Sequence, residues 1–184
     1  MASPSKENLF LELFLENSPL KEWHFNEIVK ETSLSRDVAN KWMKKYTKNG
    51  LLKKHKVQGR FPFYSVGERN SVYYSSKRIY ALEQLYKTGL IAELLSQKEA
   101  KTIIIFGSMI KGDWYKDSDV DIFILGNLSS FNKKAFETRL NKHIELHIFN
   151  QDEIKNVKTG LIDNIINGYL VKGKIQDVLN EKRN

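Results

Sequence analysis

The sequence predicts an α/β (α+β) protein in two modules, on three observations. Helical spacing followed by a basic two-strand segment fills the first third of the chain, apolar strands alternate with helical stretches in the second half, and positive charge is concentrated in one window. The 184 residues suffice for one ordinary domain or two small ones. Apolar content of 41% is near the globular norm, so a folded, soluble chain is expected. The absence of cysteine excludes a disulfide framework and thiolate metal sites. MASPSKENLF carries no secretory or transit pattern, and no apolar run is long enough to span a bilayer. A cytoplasmic protein without membrane association is therefore expected.

The first module is expected over residues 1–68. SKENLFLELFLENS has helical spacing at Leu9, Leu13 and Phe14 and stops before Pro19. HFNEIVKET reads as a short helix with Phe25, Ile28 and Val29 inward. A tight turn at Thr32–Leu34 then leads to Ser35, placed to cap a third helix, SRDVANKWMKKYTKN. There Val38, Trp42 and Tyr46 recur every fourth residue beside Ala39 and Met43, while Lys41, Lys44 and Lys48 fall on the other side. Gly50 reads as a left-handed cap. LLKKHKV and RFPFYSV read as strands joined at Gln58-Gly59, with Pro62 at an edge or past the pairing.

Between residues 35 and 60, nine basic side chains face one acid, Asp37, a local excess equal to the net charge of +8 on the whole chain. Such a patch points to a polyanionic partner, although basic surface also serves solubility. The order helix, helix, turn, helix, basic hairpin resembles a winged helix-turn-helix, carried mostly by LSRDVANKWMKKYTKNGLLKK. That resemblance implies a third helix in a major groove, with Arg36, Asn40, Lys41, Lys44 and Lys48 toward nucleic acid and Lys53, Lys54, Lys56 and Arg60 on the wing. Duplex DNA is the expected partner. Lysines grip backbone rather than bases, so structured RNA fits too, and a winged helix used for protein contacts is the bland alternative.

Residues 69 to 98 read as helix with a break at Thr88-Gly89, in which Tyr73, Tyr80, Leu85 and Leu90 are packing residues; residues 69–89 are assigned as a connecting helix. The second module, 90–184, reads as strand 102–106, a short helix from Ser108, strand 119–125, helix SFNKKAFETRLNK, strand 143–149, a long helix from Asp152 to Ile166, a strand in GYLVKGK and a C-terminal helix.

Within IIIFGSMIKGDWYKDSDVDIFILG, Asp119 and Asp121 interrupt an apolar strand and share one face, with Val120, Ile122 and Ile124 on the other. Two adjacent carboxylates resist burial unless a cation lies between them, and a hard divalent ion bound through oxygen is the usual solution. Gly107-Ser108 stands where a strand turns into a helix, a place that offers backbone N–H groups to phosphate. Gly-Ser, ten intervening residues, then Asp-Val-Asp resembles the signature of the DNA polymerase β nucleotidyltransferase superfamily, nearest to its minimal nucleotidyltransferase members. INGYLVKGK is similar to the closing strand of that family.

The resemblance implies a mixed sheet flanked by helices and an NTP-dependent, Mg²⁺-dependent transfer of NMP to a hydroxyl. One or two ions would bind, with Mn²⁺ as a substitute and ATP as the expected nucleotide. Asp119 and Asp121 would hold the metal, Gly107 and Ser108 the phosphates, and Glu145 would be the third carboxylate, a departure from the more frequent Asp. Lys111 or Lys116 would screen triphosphate charge, unless they only solvate the loop. His143 and His147 share the face of Glu145 but lack zinc-ligand spacing and read as polar edge residues. The competing reading is a DNA-binding regulator, or an antitoxin-type protein with a protein partner, whose nucleotidyltransferase fold is a sensor or scaffold. A dimer is plausible on either reading.

Overall fold

The computed structural model describes residues 5–67 and 70–183. The expected module boundary at residues 68 and 69 lies outside the described residues. The chain falls into two compact units, Met1–Ser76 and Lys77–Asn184.

The first unit contains α1 (Lys6–Leu15), β1 (Trp23–His24), α2 (Phe25–Thr32), α3 (Arg36–Lys48), β2 (Lys53–His55), β3 (Phe63–Ser65) and the start of α4 (Ser71–Lys87). Ser5 caps α1 by accepting the Asn8 N–H at 3.1 Å. The buried face of α1 is Phe10, Phe14 and Leu15, not Leu9 and Leu13, which are half-buried. The large rings take the interior: Phe10 stacks on Tyr46 at 5.6 Å and Phe14 meets the edge of Trp23 at 6.0 Å. Ser33 turns the chain at φ 53°, Ser35 caps α3, and Ala39, Met43 and Tyr46 are its buried side chains. Glu7 ties α1 to α3, its Oε1 accepting from Lys45 Nζ and Tyr46 Oη at 2.5 Å each.

The three short strands form an antiparallel sheet in the order β1-β3-β2. The expected strands 51–57 and 60–66 shrink to three residues each. Leu51 and Leu52 are both buried, which a half-exposed strand does not allow, and a turn closes where the Arg60 N–H donates to the Val57 carbonyl at 3.1 Å. Pro62, without an N–H, falls just outside β3. The pairing of β1 with β3 was not expected from the sequence, because two residues carry no readable period.

The second unit continues α4 and adds α5 (Leu90–Ser96), β4 (Ala100–Phe106), α6 (Ser108–Lys111), β5 (Val120–Gly126), α7 (Lys133–Leu140), β6 (Ile144–Phe149), a 3₁₀ turn (Glu153–Asn156), α8 (Thr159–Ile166), β7 (Tyr169–Lys172) and α9 (Ile175–Arg183). The sheet order is β6-β5-β4-β7, with β5 and β6 parallel and the other pairs antiparallel, so the sheet is mixed. One face packs Ile104, Phe106, Phe123 and Leu125 against Ile154, Val157, Ile162, Ile165 and Val178. On the other, Ile103, Ile105, Val120, Ile122 and Ile124 are all buried. Each such side chain contributes about 1.5–3 kcal/mol, and burial on both faces explains the near-continuous apolar runs of β4 and β5. Tyr73, Tyr80, Leu85 and Leu90 are buried, and the helix breaks at Thr88-Gly89.

The expected helix from Asp152 to Ile166 is interrupted. Val157 is extended, at ψ 136°, between the 3₁₀ turn and α8. Lys182 holds the break, donating to the carbonyls of Lys155 at 2.6 Å and Val157 at 2.5 Å, so carbonyls lost to the helix are satisfied elsewhere. Among the described residues, no helix is long and apolar enough to cross a membrane.

Candidate functional site

Strand register builds the site. In the antiparallel pair β4–β5 Phe106 stands opposite Asp121, and in the parallel pair β5–β6 Asp121 stands opposite Glu145. Gly107, the next residue after β4, therefore lies against Asp121. A Cβ at Gly107 would fall 2.0 Å from Asp121 Oδ2, and the backbone there has φ 78°, so glycine is required both by space and by conformation. The Asp121 carboxylate occupies room that any side chain at 107 would fill.

Asp121 is half-buried, and its side chain retains 23% exposure. Burial pushes its carboxyl up first and the charge of Glu145 pushes it further, against an opposing attraction from His147 and with a smaller upward push from Asp119. A negative centre held at such cost is a natural place for a cation. Asp121, Glu145 and His147 each present a ligand atom within 4.8 Å of the others, which is a set able to hold a metal ion. His147 Nε2 lies 3.8 Å from Asp121 Oδ1 and 3.6 Å from Glu145 Oε1. Both separations are too long for hydrogen bonds. The atom is buried and has no hydrogen-bond partner among the described residues. A ring nitrogen left without a hydrogen bond beside two carboxylates fits an ion there, bound through the nitrogen lone pair.

Asp119 and Asp121 do not form the symmetric pair expected from alternation. Asp119 precedes β5, is exposed, and stands outside the cluster of three. Strand pairing begins one residue later: the Val120 N–H donates to the His143 carbonyl at 2.8 Å. His143 itself turns to Glu137, with Nδ1 2.7 Å from Oε1. That carboxylate also accepts the Ile144 N–H at 3.0 Å, the leading cause of its lowered pKa, and so anchors the start of β6 to α7.

The segment from Gly112 to Asp119 is pinned from two sides. Trp114 is buried and stacks on Tyr80 at 6.0 Å. Lys77, 1% exposed, donates to the Trp114 carbonyl and lies 4.8 Å above the Trp114 ring and 4.5 Å above that of Tyr115. Lys142 donates to the carbonyls of Tyr115 at 3.1 Å and Lys116 at 2.8 Å. A buried lysine satisfied by a carbonyl and two rings was invisible in the sequence, where Lys77 is one of thirty basic residues.

Ser108 opens α6 directly after Gly107. The first N–H groups of a helix have no partner within it. Lys111, at the other end of α6, donates to Asn164 Oδ1 at 2.7 Å, beside a cavity of about 450 Å³ lined by Arg78, Leu82, Ile110, Lys111 and Asn167. Lys116 is exposed in the loop.

In the first unit Arg36, Asn40, Lys41, Lys44 and Lys48 are exposed on α3, and Lys53, Lys54, Lys56 and Arg60 are exposed on the hairpin. Not all are equally available. Arg36 donates to Asn26 Oδ1 at 3.0 Å, Lys54 lies 5.6 Å over Tyr64, and Arg60 pairs with Glu22 at 3.3 Å. Phe61, 86% exposed beside them, carries no signal in the sequence that would single it out.

Three solved structures of toxin–antitoxin complexes contain chains similar to this one. One, with AMP-PNP, matches at 18% identity over 55% of this chain and 80% of that chain, with a TM-score of 0.37. The MntA-HepT complex matches at 16% identity over 59% and 80%, with a TM-score of 0.30. The tri-AMPylated Shewanella oneidensis HEPN toxin with its MNT antitoxin gives the same identity, coverage and score. No curated protein sequence matches the chain. Residues 89–183, the segment that carries the Gly-Ser turn, both aspartates, Glu145 and His147, match the nucleotidyltransferase domain. The chain belongs to the nucleotidyltransferase domain family, and nucleotidyl transfer is its reaction class.

Proposed function

We propose that the second unit transfers an NMP from an NTP, ATP first among them, to an acceptor hydroxyl with Mg²⁺ bound at Asp121 and Glu145, and that the first unit is a winged helix-turn-helix that holds duplex nucleic acid. The observation that carries the transferase reading is the register that sets Asp121 beside Glu145 with Gly107 vacating space for the Asp121 carboxylate.

Asp121 and Glu145 would hold the metal, with Asp119 at its exposed edge. A bound divalent ion supplies positive charge to the triphosphate oxygens as negative charge shifts toward the leaving group. Ser108 and the opening N–H groups of α6 orient the phosphates, and Gly107 keeps that approach free of side chain. Glu145, the most exposed of the three cluster groups at 54%, faces the acceptor and takes the proton from its hydroxyl. The acceptor oxygen bonds to the α-phosphorus as the bond to pyrophosphate breaks. Lys116 would add positive charge at the loop.

For the first unit, support comes from the element order α1, β1, α2, α3, β2, β3 and from the exposed row Lys41, Lys44 and Lys48 on α3. Replacing those three lysines by alanine should weaken duplex binding and flatten its dependence on salt by about one unit of slope for each phosphate no longer neutralised. Unchanged affinity and slope would remove the groove reading. For the second unit, α-labelled NTP with Mg²⁺ should label an acceptor, and Asp121→Ala should abolish labelling while leaving duplex binding intact. Duplex binding by both proteins with labelling by neither would favour a regulator whose second unit senses nucleotide.

A further inference from the structure

Of the three groups that converge on the site, only one is a nitrogen donor, and the transferase reading gives it no task. We propose that His147 is a direct metal ligand and that it strengthens binding of the first-row transition dications Mn²⁺ and Co²⁺ relative to Mg²⁺. The proposal rests on the metal reading of Asp121 and Glu145 and goes beyond it.

Four observations carry it. The Nε2 atom is 3.6 Å from Glu145 Oε1 and 3.8 Å from Asp121 Oδ1, and one ligand atom from each of the three groups lies within 4.8 Å of the other two, so modest side-chain shifts suffice to bring them onto one ion. That atom is buried and lacks a hydrogen-bond partner among the described residues, so its lone pair or proton is unused. The ring is held in place: His147 stands opposite Phe123 in the parallel register, and the Phe106 ring packs on it at 5.1 Å. Finally, the histidine just ahead of β6, His143, is occupied by Glu137, so of these two histidines it is His147 that is directed to the carboxylates.

Donor chemistry then sets the selectivity. Mg²⁺ favours oxygen, demands near-ideal octahedral geometry and gives up water reluctantly. Imidazole binds first-row transition ions more readily, with affinity rising from Mn²⁺ to Co²⁺ along the series. Two carboxylates would serve either class; the added imidazole shifts the balance. Because almost any site prefers Co²⁺ to Mg²⁺, wild-type selectivity alone does not decide the matter. The decisive quantity is how that selectivity changes when the nitrogen is replaced by oxygen.

The experiment titrates the full chain with Mg²⁺, Mn²⁺ and Co²⁺ alone, in the absence of nucleotide, and compares wild type with His147→Gln, Asp121→Asn and His143→Gln. Binding is read by calorimetry and by electron spin echo modulation of bound Mn²⁺, which detects a coordinated nitrogen. The expected result is a loss of about tenfold or more in Mn²⁺ and Co²⁺ affinity in His147→Gln, with Mg²⁺ affinity little changed and the nitrogen modulation gone. Asp121→Asn should lose all three ions, and His143→Gln should match wild type. Equal Co²⁺ and Mn²⁺ affinities in wild type and His147→Gln, or no nitrogen modulation in wild type, would overturn the role of His147 while leaving the carboxylate reading standing. Failure of the wild type to bind any of the three ions would overturn both. Circular dichroism of each variant separates a lost ligand from a lost fold.

Discussion

The start of β5 and the surface of α3 are built on opposite principles. At β5 a half-buried carboxylate is held against Glu145 by strand register and against Gly107 by space, and its position is determined several times over. On α3 the lysines project into solvent from a helix whose buried face, Ala39, Met43 and Tyr46, does not depend on them. The first region is fixed by packing and tolerates almost no change. The second presents charge from a helix that packing on its other face holds in place. A site of the first kind can align reacting atoms; a surface of the second kind can attract a polyanion but selects little among sequences.

Four variants would break or sharpen that contrast. The largest effect is expected from Gly107→Ala, because the new methyl would collide with the Asp121 carboxylate and meet a backbone at positive φ. Metal and nucleotide affinity should fall by about a hundredfold with secondary structure retained, as measured by calorimetry beside circular dichroism. Wild-type affinity in this variant would contradict the claim that the glycine makes room for Asp121. Next comes Lys77→Met, which leaves the Trp114 carbonyl without its donor. Thermal or urea unfolding of the second unit should show a loss of about 2 kcal/mol.

Glu7→Gln should cost about 1 kcal/mol in the first unit by weakening the link to Lys45 and Tyr46. Burial alone would raise the Glu7 pKa, but the hydrogen bonds from Lys45 and Tyr46 outweigh it and the net shift is downward. A carboxyl lowered in the folded state contributes stability that is present above its ordinary pKa and lost as pH falls through the lowered one. Unfolding measured against pH should show that acid-side loss in wild type and a flatter curve in Glu7→Gln. Smallest of all is the effect of the triple change Lys41, Lys44 and Lys48 to alanine on stability. Each position should shift it by no more than about 0.5 kcal/mol, so a large loss would mean these lysines have a structural task.

Much of the candidate site was legible because it depends on short-range rules. Alternation along a strand placed Asp121 and Glu145 on their faces, and the turn after an apolar strand located Gly107-Ser108. What the sequence did not reveal depends on pairing between distant segments. His147 could be seen to share a face with Glu145, but its approach to Asp121 follows only from the parallel register of β5 and β6. The exposure of Asp119 follows from where pairing begins, one residue beyond it. The buried Lys77 and the break at Val157 were hidden for a related reason: each depends on a lysine and a carbonyl far apart in the chain, Lys77 with Trp114 in one case and Lys182 with Val157 in the other. The two-residue strand β1 is too short for any period to show.

On the proposed function, Asp121 and Glu145, with Asp119 exposed beside them, hold nucleotide and metal in the second unit. The most direct test is a calorimetric titration of the full chain with each NTP in the presence and absence of Mg²⁺, beside an Asp119→Ala/Asp121→Ala protein of unchanged circular dichroism. At least one NTP should bind only with the divalent ion, and the double substitution should remove this binding. Binding that ignores both the ion and the aspartates, or no binding by the wild type, would contradict the claim.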